Sequence, residues 1–499
     1  DVLRHEWGFE GFVISDWILG LRDAGRSLRA GLDVEMPYRM IRADHLGRAL
    51  DDGDVSWAEV DLAVERIVAT RQRFGPVLDR PGPGREVLAG AEHRALAREA
   101  AASSVVVLRN EPVDGTPLLP LDPRPGASVA LLGRLATTVN LGDGGSSDVW
   151  TPEVVTVAEG LRAALPDVDV IDNDGADLAA ASAIAGSSDL AVVVVGYTRL
   201  DEGEYIGEFA TSHLTDLFPG EDDPDLVARF THTIATERLI EPPDHAAPDV
   251  GGVGFAVGGD RRSLGLHPDD VALIGAVAAA NPRTLVAVVA GSAVVVSGWD
   301  HLVPALVQSW YSGMEGGHGL ADVLMGRVDA TGRLPFSVPV SPDDLPAFDP
   351  DATEFTYDAW HGYWHLARQD TEPAYPFGFG LSYTSFALRT AEAANDGRTI
   401  RIVASVANTG PRAGSDLVQV YAHRQGSDHP ERLRGFGRVA LGPGATGTVD
   451  LTVDLASLAE RDTSAHTMVI HPGPYSLRVA RHFGDPGIVM AVTVDDPVG

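Results

Sequence analysis

An α/β plus β fold is predicted: the end of a (β/α)8 barrel, then a three-layer α/β/α sandwich, then a β-sandwich. Three observations predict it. Near the start, two short apolar runs, each broken by acidic residues, flank a helical piece. In the middle, continuous apolar runs alternate with helical patterns, as a mostly parallel sheet covered on both faces requires. From Tyr383 onward, short alternating strands are separated by turn-rich breaks.

The first segment, residues 1–80, opens on Gly11-Phe12-Val13-Ile14-Ser15-Asp16-Trp17. Phe12, Val13 and Ile14 read as a buried strand, and Asp16 follows where the apolar run stops. Catalytic side chains of parallel barrels sit at such strand ends, although an Asp there also serves as a turn former or helix cap. A helical piece at 24–30 leads to a second strand in Gly31-Leu32-Asp33-Val34-Glu35-Met36-Pro37. Residues 57–74 follow as a helix, with Val60, Val64, Ile67 and Val68 at helical spacing. A barrel cannot close from two strands, so the chain is expected to be a partial sequence cut within the barrel. Arg80-Pro81-Gly82-Pro83-Gly84 begins a linker at 81–96.

The sandwich domain is expected over 87–340. Its strands lie at 129–132, 190–195, 285–289 and 305–307, and its helices include 269–280 and 318–325. The most apolar stretch, 285–299, is broken by Gly291, Ser292 and Ser297; it is too short to span a bilayer and reads as paired buried strands. A polar, proline-containing insertion at 207–258 interrupts the domain. A connecting segment at 341–382 leads to the β-sandwich at 383–499, with strands at 400–407, 417–422, 448–453 and 475–479.

A chain of 499 residues with 44% hydrophobic content can bury two or three cores. Its net charge of −33 argues against nucleic acid and anionic membrane as partners and leaves neutral small molecules. There is no cysteine, which excludes disulfides, thiolate metal sites and thiol nucleophiles. There is no lysine either, which excludes a Walker-type loop and a lysine Schiff base. The histidines are scattered without metal-ligand spacing, and no Gly-x-Ser-x-Gly elbow occurs, so neither a metal site nor a serine hydrolase is expected. Beyond the buried run at 190–196, Asp201-Glu202-Gly203-Glu204-Tyr205 forms a carboxylate-bearing loop at the carboxyl end of a strand, where open α/β sheets bind ligands. Acidic loop residues are also commonly just solvated.

Several segments together resemble glycoside hydrolase family 3, the β-glucosidase and β-xylosidase family. They are Asp1 to Phe9 with Ser15-Asp16-Trp17, then Ala97-Arg98-Glu99-Ala100-Ala101 with Leu108-Arg109-Asn110. Trp310-Tyr311-Ser312-Gly313-Met314-Glu315-Gly316-Gly317, Thr331-Gly332-Arg333-Leu334-Pro335 and Tyr375-Pro376-Phe377-Gly378-Phe379-Gly380-Leu381-Ser382-Tyr383 complete the set. The resemblance implies that the last domain is fibronectin type III-like, with its characteristic strand pair at 432–444. It also implies a retaining exo-acting glycosidase, most simply a β-glucosidase acting on terminal β-D-glucosyl residues of a small carbohydrate, with no cofactor. A β-xylosidase or arabinosidase of the same family, or a carbohydrate-binding or scaffolding protein without catalysis, are the alternatives.

Retention needs two carboxyl groups about 5–5.5 Å apart, one nucleophile and one acid/base. The resemblance assigns Asp16 as nucleophile. It places the acid/base in the second domain, commonly within Gly-Glu-Gly-Tyr; Gly203-Glu204-Tyr205 lacks the second glycine, so Glu204 is the choice, with Glu202 the alternative and Glu208 behind them. Trp17 is expected to wall the sugar pocket or simply to pack. Gly142-Asp143-Gly144-Gly145-Ser146-Ser147 lacks basic partners and reads as a loop facing the active site or a plain turn. Glu315 and His318 flank a helix start, where Glu315 favours the dipole, and neither is given chemistry.

Overall fold

The computed structural model describes residues 2–17, 20–37, 40–142, 149, 151–204, 261, 263–349 and 352–495. The insertion at 207–258, Glu208 and the loop residues 143–148 lie outside the described residues. Among those described, the chain divides into two compact units: one holds the residues through Val87 with 462–467, the other holds the rest.

In the first unit, β1 (Ile14–Trp17) pairs in parallel with β2 (Val34–Met36), and α1 (Ala24–Arg29) crosses between them. Asp23 caps α1 by accepting from Arg26 N–H at 2.7 Å. Helix α2 (Ile41–Asp51) is capped by a carboxylate from the preceding strand, since Glu35 accepts from the N–H groups of Met40, Ile41 and Arg42 at 2.8–3.0 Å. Helix α3 (Trp57–Leu78) begins with a Ser56/Glu59 capping box. The small core is Leu28, Val55 and Ala63, with Leu46, Ala49, Leu50 and Val60 against it.

One expectation fails here. Phe12 and Ile14 are 36% and 45% exposed rather than buried. A parallel sheet is covered on both faces only when several strands carry crossover helices, and two strands with one helix leave these side chains in solvent. Val64 and Val68 are exposed too, because α3 packs through the narrow Val60/Ala63 face.

The second unit begins with α4 (Ala91–Ser104) and β3 (Val106–Asn110), followed by β4 (Ser128–Leu132), α5 (Val157–Ala164), β5 (Asp169–Asn173), α6 (Leu178–Ser187) and β6 (Leu190–Gly196). The one-turn helix α7 (Arg199–Glu202) comes next, then α8 (Pro268–Ala280), β7 (Thr284–Val289), β8 (Ala305–Ser309) and α9 (Gly316–Leu324). The sheet order is β3-β8-β7-β6-β4-β5, with β3 antiparallel to β8 and all other pairs parallel. From β4 the chain moves outward to β5, then returns to the other side of β4 and proceeds through β6, β7 and β8. The direction of winding therefore reverses between β4 and β6, where doubly wound sheets bind ligands at their carboxyl ends.

Strand β6 shows why such strands read as continuous apolar runs. Leu190, Val192 and Val194 face the core with α4, α5 and α9, while Ala191, Val193 and Val195 face the core with α6 and α8. At the helix contact on the first face, a Cβ on Gly317 would collide with the Thr156 carbonyl and one on Gly160 with the Gly317 carbonyl, so α5 and α9 touch backbone to backbone. The stretch 285–299 holds one strand, not two: β7 ends at Val289, and Val294, Val296 and Trp299 are buried from an irregular segment. Gly291 and Ser292 end the strand where the chain must turn.

The last part is a β-sandwich of β9 (Phe386–Asn395), β10 (Thr399–Asn408), β11 (Gly414–Arg424), β12 (Arg432–Leu441), β13 (Thr446–Asp454), β14 (Gly473–Ala480) and β15 (Ile488–Val494). Sheet β9-β10-β13 covers sheet β12-β11-β14-β15. The expected strand pair at 432–444 is a single strand, β12, paired with β11. Polar groups join this sandwich to the α/β part: Asp329 accepts from the Ser382 hydroxyl at 2.8 Å and from Ser415 N–H at 2.8 Å. Tyr383 donates to Val323 O at 2.7 Å, and Gln419 to Gly378 O at 3.2 Å. No described helix is long and apolar enough to cross a membrane.

Candidate active site

Asp16 is the penultimate residue of β1, exposed next to buried Ser15. The Ser15 hydroxyl accepts from Met36 N–H at 2.9 Å, which locks the ends of β1 and β2 together. Trp17 follows at φ 76°, in the left-handed region that a bulky side chain rarely adopts, and is 51% exposed. Strain of this kind concentrates at functional sites. The chain folds back on itself at once, since a Cβ at Gly20 would lie 2.8 Å from Asp16 N. Behind the strand, Asp33 is 1% exposed at its side chain and accepts from Arg4 at 2.5 Å, Arg66 at 3.0 Å and Val13 N–H at 2.8 Å. One buried carboxylate thus holds the opening segment, β1 and α3 in register. The sequence reading gave Asp33 no role, because its partners lie far from it along the chain.

Glu202 and Glu204 lie in the other unit, at the carboxyl edge of its sheet. Gly196 ends β6 at φ 130°, where a Cβ would strike the Val289 carbonyl. Thr198 then starts α7, with Thr198 and Asp201 closing a capping box, and Gly203 N–H bonds to Arg199 O at 3.0 Å. Asp201 also meets His267 Nε2 at 2.8 Å. Arg134, from the turn after β4, donates to Gly196 O at 2.5 Å, so the turns after β4 and β6, on either side of the reversal, are tied.

Glu202 is held on both oxygens. Its Oε1 accepts from the Tyr311 hydroxyl at 2.6 Å and from Gly291 N–H at 2.7 Å, and its Oε2 meets Arg261 Nε at 2.8 Å. Arg261 is 7% exposed and stacks over the Tyr197 ring, 4.3 Å from its centre. Burial first, and then the adjacent Glu202, push the Tyr311 phenol far above its usual range, so it stays a donor. Burial lifts the carboxyl of Asp270 as well, against the opposing pull of Arg134 and Gly196 N–H. Glu204 is half-buried one residue beyond the C-cap of α7. Tyr311 stood in a segment noted as a motif, but only the fold shows that it and Arg261 converge on Glu202.

Glu315, expected to favour a helix dipole, is more deeply engaged: its side chain is 4% exposed and meets Arg94 and His318, each at 2.6 Å. It is an anchor between α4 and α9. No cluster of potential metal ligands occurs among the described residues.

The fold is that of an α/β protein with a C-terminal β-sandwich. Residues 105–383 match the glycosyl hydrolase family 3 C-terminal domain, 1–70 the glycosyl hydrolase family 3 N-terminal domain, and 416–482 the fibronectin type III-like domain. The chain belongs to glycosyl hydrolase family 3. It is 29% identical to a β-glucosidase of Rhizobium radiobacter, over 96% of this chain and 72% of that protein. It is 28% identical to an exo-α-(1→6)-L-arabinopyranosidase of Bifidobacterium longum, over 99% of this chain and 60% of that one. Among solved structures, a Bifidobacterium adolescentis family 3 β-glucosidase aligns at TM-score 0.78 and 26% identity, over 99% of this chain and 66% of that one. The chain thus spans 60–72% of the length of these relatives.

Proposed function

We propose that the protein carrying this chain is a retaining exo-acting β-glucosidase, with Asp16 as nucleophile and Glu204 as acid/base. The observation that carries the reading is Ser15-Asp16-Trp17 at the carboxyl end of a parallel strand pair, inside the segment that matches the family's N-terminal domain. The place of Glu204 supports it, on a rigidly capped loop beside the winding reversal of the second unit's sheet. Asp16 attacks the anomeric carbon while Glu204 protonates the departing oxygen; Glu204 then deprotonates the water that releases the sugar. Trp17 offers an apolar wall to the sugar ring. No cofactor enters this chemistry.

The arabinopyranosidase relatives favour a second reading, in which the sugar is a pentopyranose. The test is a panel of aryl β-glucosides, β-xylosides and α-L-arabinopyranosides assayed on the full-length protein. Preference for the glucoside is expected; preference for a pentopyranoside overturns the sugar assignment, and no turnover of any overturns the enzyme reading.

A further inference from the structure

We propose that Glu202 is a positioning residue whose carboxylate ties the acid/base loop to the edge of the sheet. The inference rests on the reading of Glu204 as acid/base and adds what holds that residue in place. Helix α7 is a single turn, too short to be stable by itself, and Glu204 follows its C-cap by one residue. What fixes such a turn must come from outside it. Gly291 N–H lies just beyond β7 and Tyr311 just beyond β8, so the two contacts to Oε1 attach α7 to the two strands that follow β6 in the sheet. Arg261 closes the other oxygen and is held in turn by Ala293 O at 3.0 Å and by the Tyr197 ring.

The neighbours are shaped for this carboxylate. A Cβ at Gly291 would sit 3.3 Å from Glu202 Oε1 and 3.4 Å from the Tyr311 ring, so only glycine brings its N–H in without crowding. With two donors on one oxygen and a guanidinium on the other, Glu202 accepts on both oxygens and is 11% exposed at its side chain. A carboxylate so held is an acceptor, which separates its role from that of a proton donor two residues away.

The experiment compares Tyr311→Phe, Glu202→Gln and Glu204→Ala in the full-length protein, on cellobiose and on 2,4-dinitrophenyl β-glucoside, with and without azide. Tyr311→Phe removes one hydroxyl and keeps the ring, so folding is preserved. It is expected to lower kcat on cellobiose about tenfold, the scale of one lost charge-assisted hydrogen bond. The first step on the dinitrophenyl glucoside, read as kcat/KM, needs no proton and should change little, whereas the second step needs Glu204 as base and should slow. Glu202→Gln should show the same dependence on leaving group, more strongly, and neither variant should yield glucosyl azide. The Glu202→Gln/Tyr311→Phe double variant should lose no more than Glu202→Gln alone, since both act through one tether.

Azide rescue of Glu202→Gln would overturn the proposal by making Glu202 the acid/base itself. Equal losses of kcat/KM on both substrates would overturn it in favour of a general structural role. If Glu204→Ala shows azide rescue but Tyr311→Phe and Glu202→Gln match the parent on cellobiose, the tether alone falls. If Glu204→Ala is near normal on both substrates, the acid/base reading falls and takes this inference with it.

Discussion

Arg333 and Asp416 form an ion pair at 3.3 Å in which both side chains are buried, 8% and 1% exposed. Arg481 completes it from the other side at 2.7 Å, so one carboxylate serves two guanidiniums. Arg333 belongs to the α/β part, whereas Asp416 and Arg481 belong to the β-sandwich. Removing the anion strands buried positive charge, and Asp416→Ala is expected to cost about 3–5 kcal/mol. Chemical unfolding of the full-length protein measures this; a loss below about 1 kcal/mol would contradict it.

Asp16→Ala should lower turnover of an aryl β-glucoside by roughly 10⁴-fold or more, the scale of losing a covalent nucleophile. The thermal midpoint should hold, because Asp16 is exposed and Asp33 carries the local ion pairs. Near-normal rates in this variant would remove the assignment.

Gly317→Ala should destabilise by about 1–3 kcal/mol or more, since the new methyl group meets backbone that cannot swing aside. Gly275→Ala, where a Cβ would meet open space, serves as the control and should be neutral to stabilising. Equal melting temperatures for the two would contradict the close approach of α5 and α9.

Acid should weaken the α4/α9 contact. Burial would lift the carboxyls of Glu315 and Asp322, but hydrogen bonds from His318 and Arg94 to the first, and from Arg98 to the second, outweigh it and leave both below their ordinary range. Groups depressed in the folded state contribute fully above their unfolded values and lose that contribution as pH falls through the folded ones. Stability should therefore decline from about pH 4.5 downward, and Asp322→Asn should flatten the decline. A variant with an unchanged acid limb would refute this.

The parts of the fold legible in the sequence are those where burial leaves no ambiguity. Leu190 to Val195 could only be a strand covered on both faces, and Ile400 to Ala407 alternated as a half-buried strand must. Less was legible where exposure is unusual or contacts are remote. Strand β5 has only Val170 and Ile171 between polar residues at a sheet edge, and β9 is rich in Ala, a residue that favours helix. Val64 and Val68 on α3 share the spacing of Val60 yet are exposed, because periodicity reports amphipathicity, not what is present to cover it. At the site, the sequence offered Glu204, with Glu202 as the alternative. The groups that hold Glu202 are on Gly291, Tyr311 and Arg261, which lie 59 to 109 residues away along the chain.

The contacts of Asp329 bear on how such proteins are assembled in evolution. Its half-buried carboxylate accepts from Ser382 of the connecting segment and from Ser415 of the β-sandwich, so it bonds to both sides of the junction. A β-sandwich of this kind is often regarded as an interchangeable bead on a string. Here the junction is specified residue by residue on both sides, and a foreign sandwich grafted after Tyr383 would have to bring matching partners for Asp329 and Arg333. A sandwich lacking those groups would leave the α/β side of the seam short of partners.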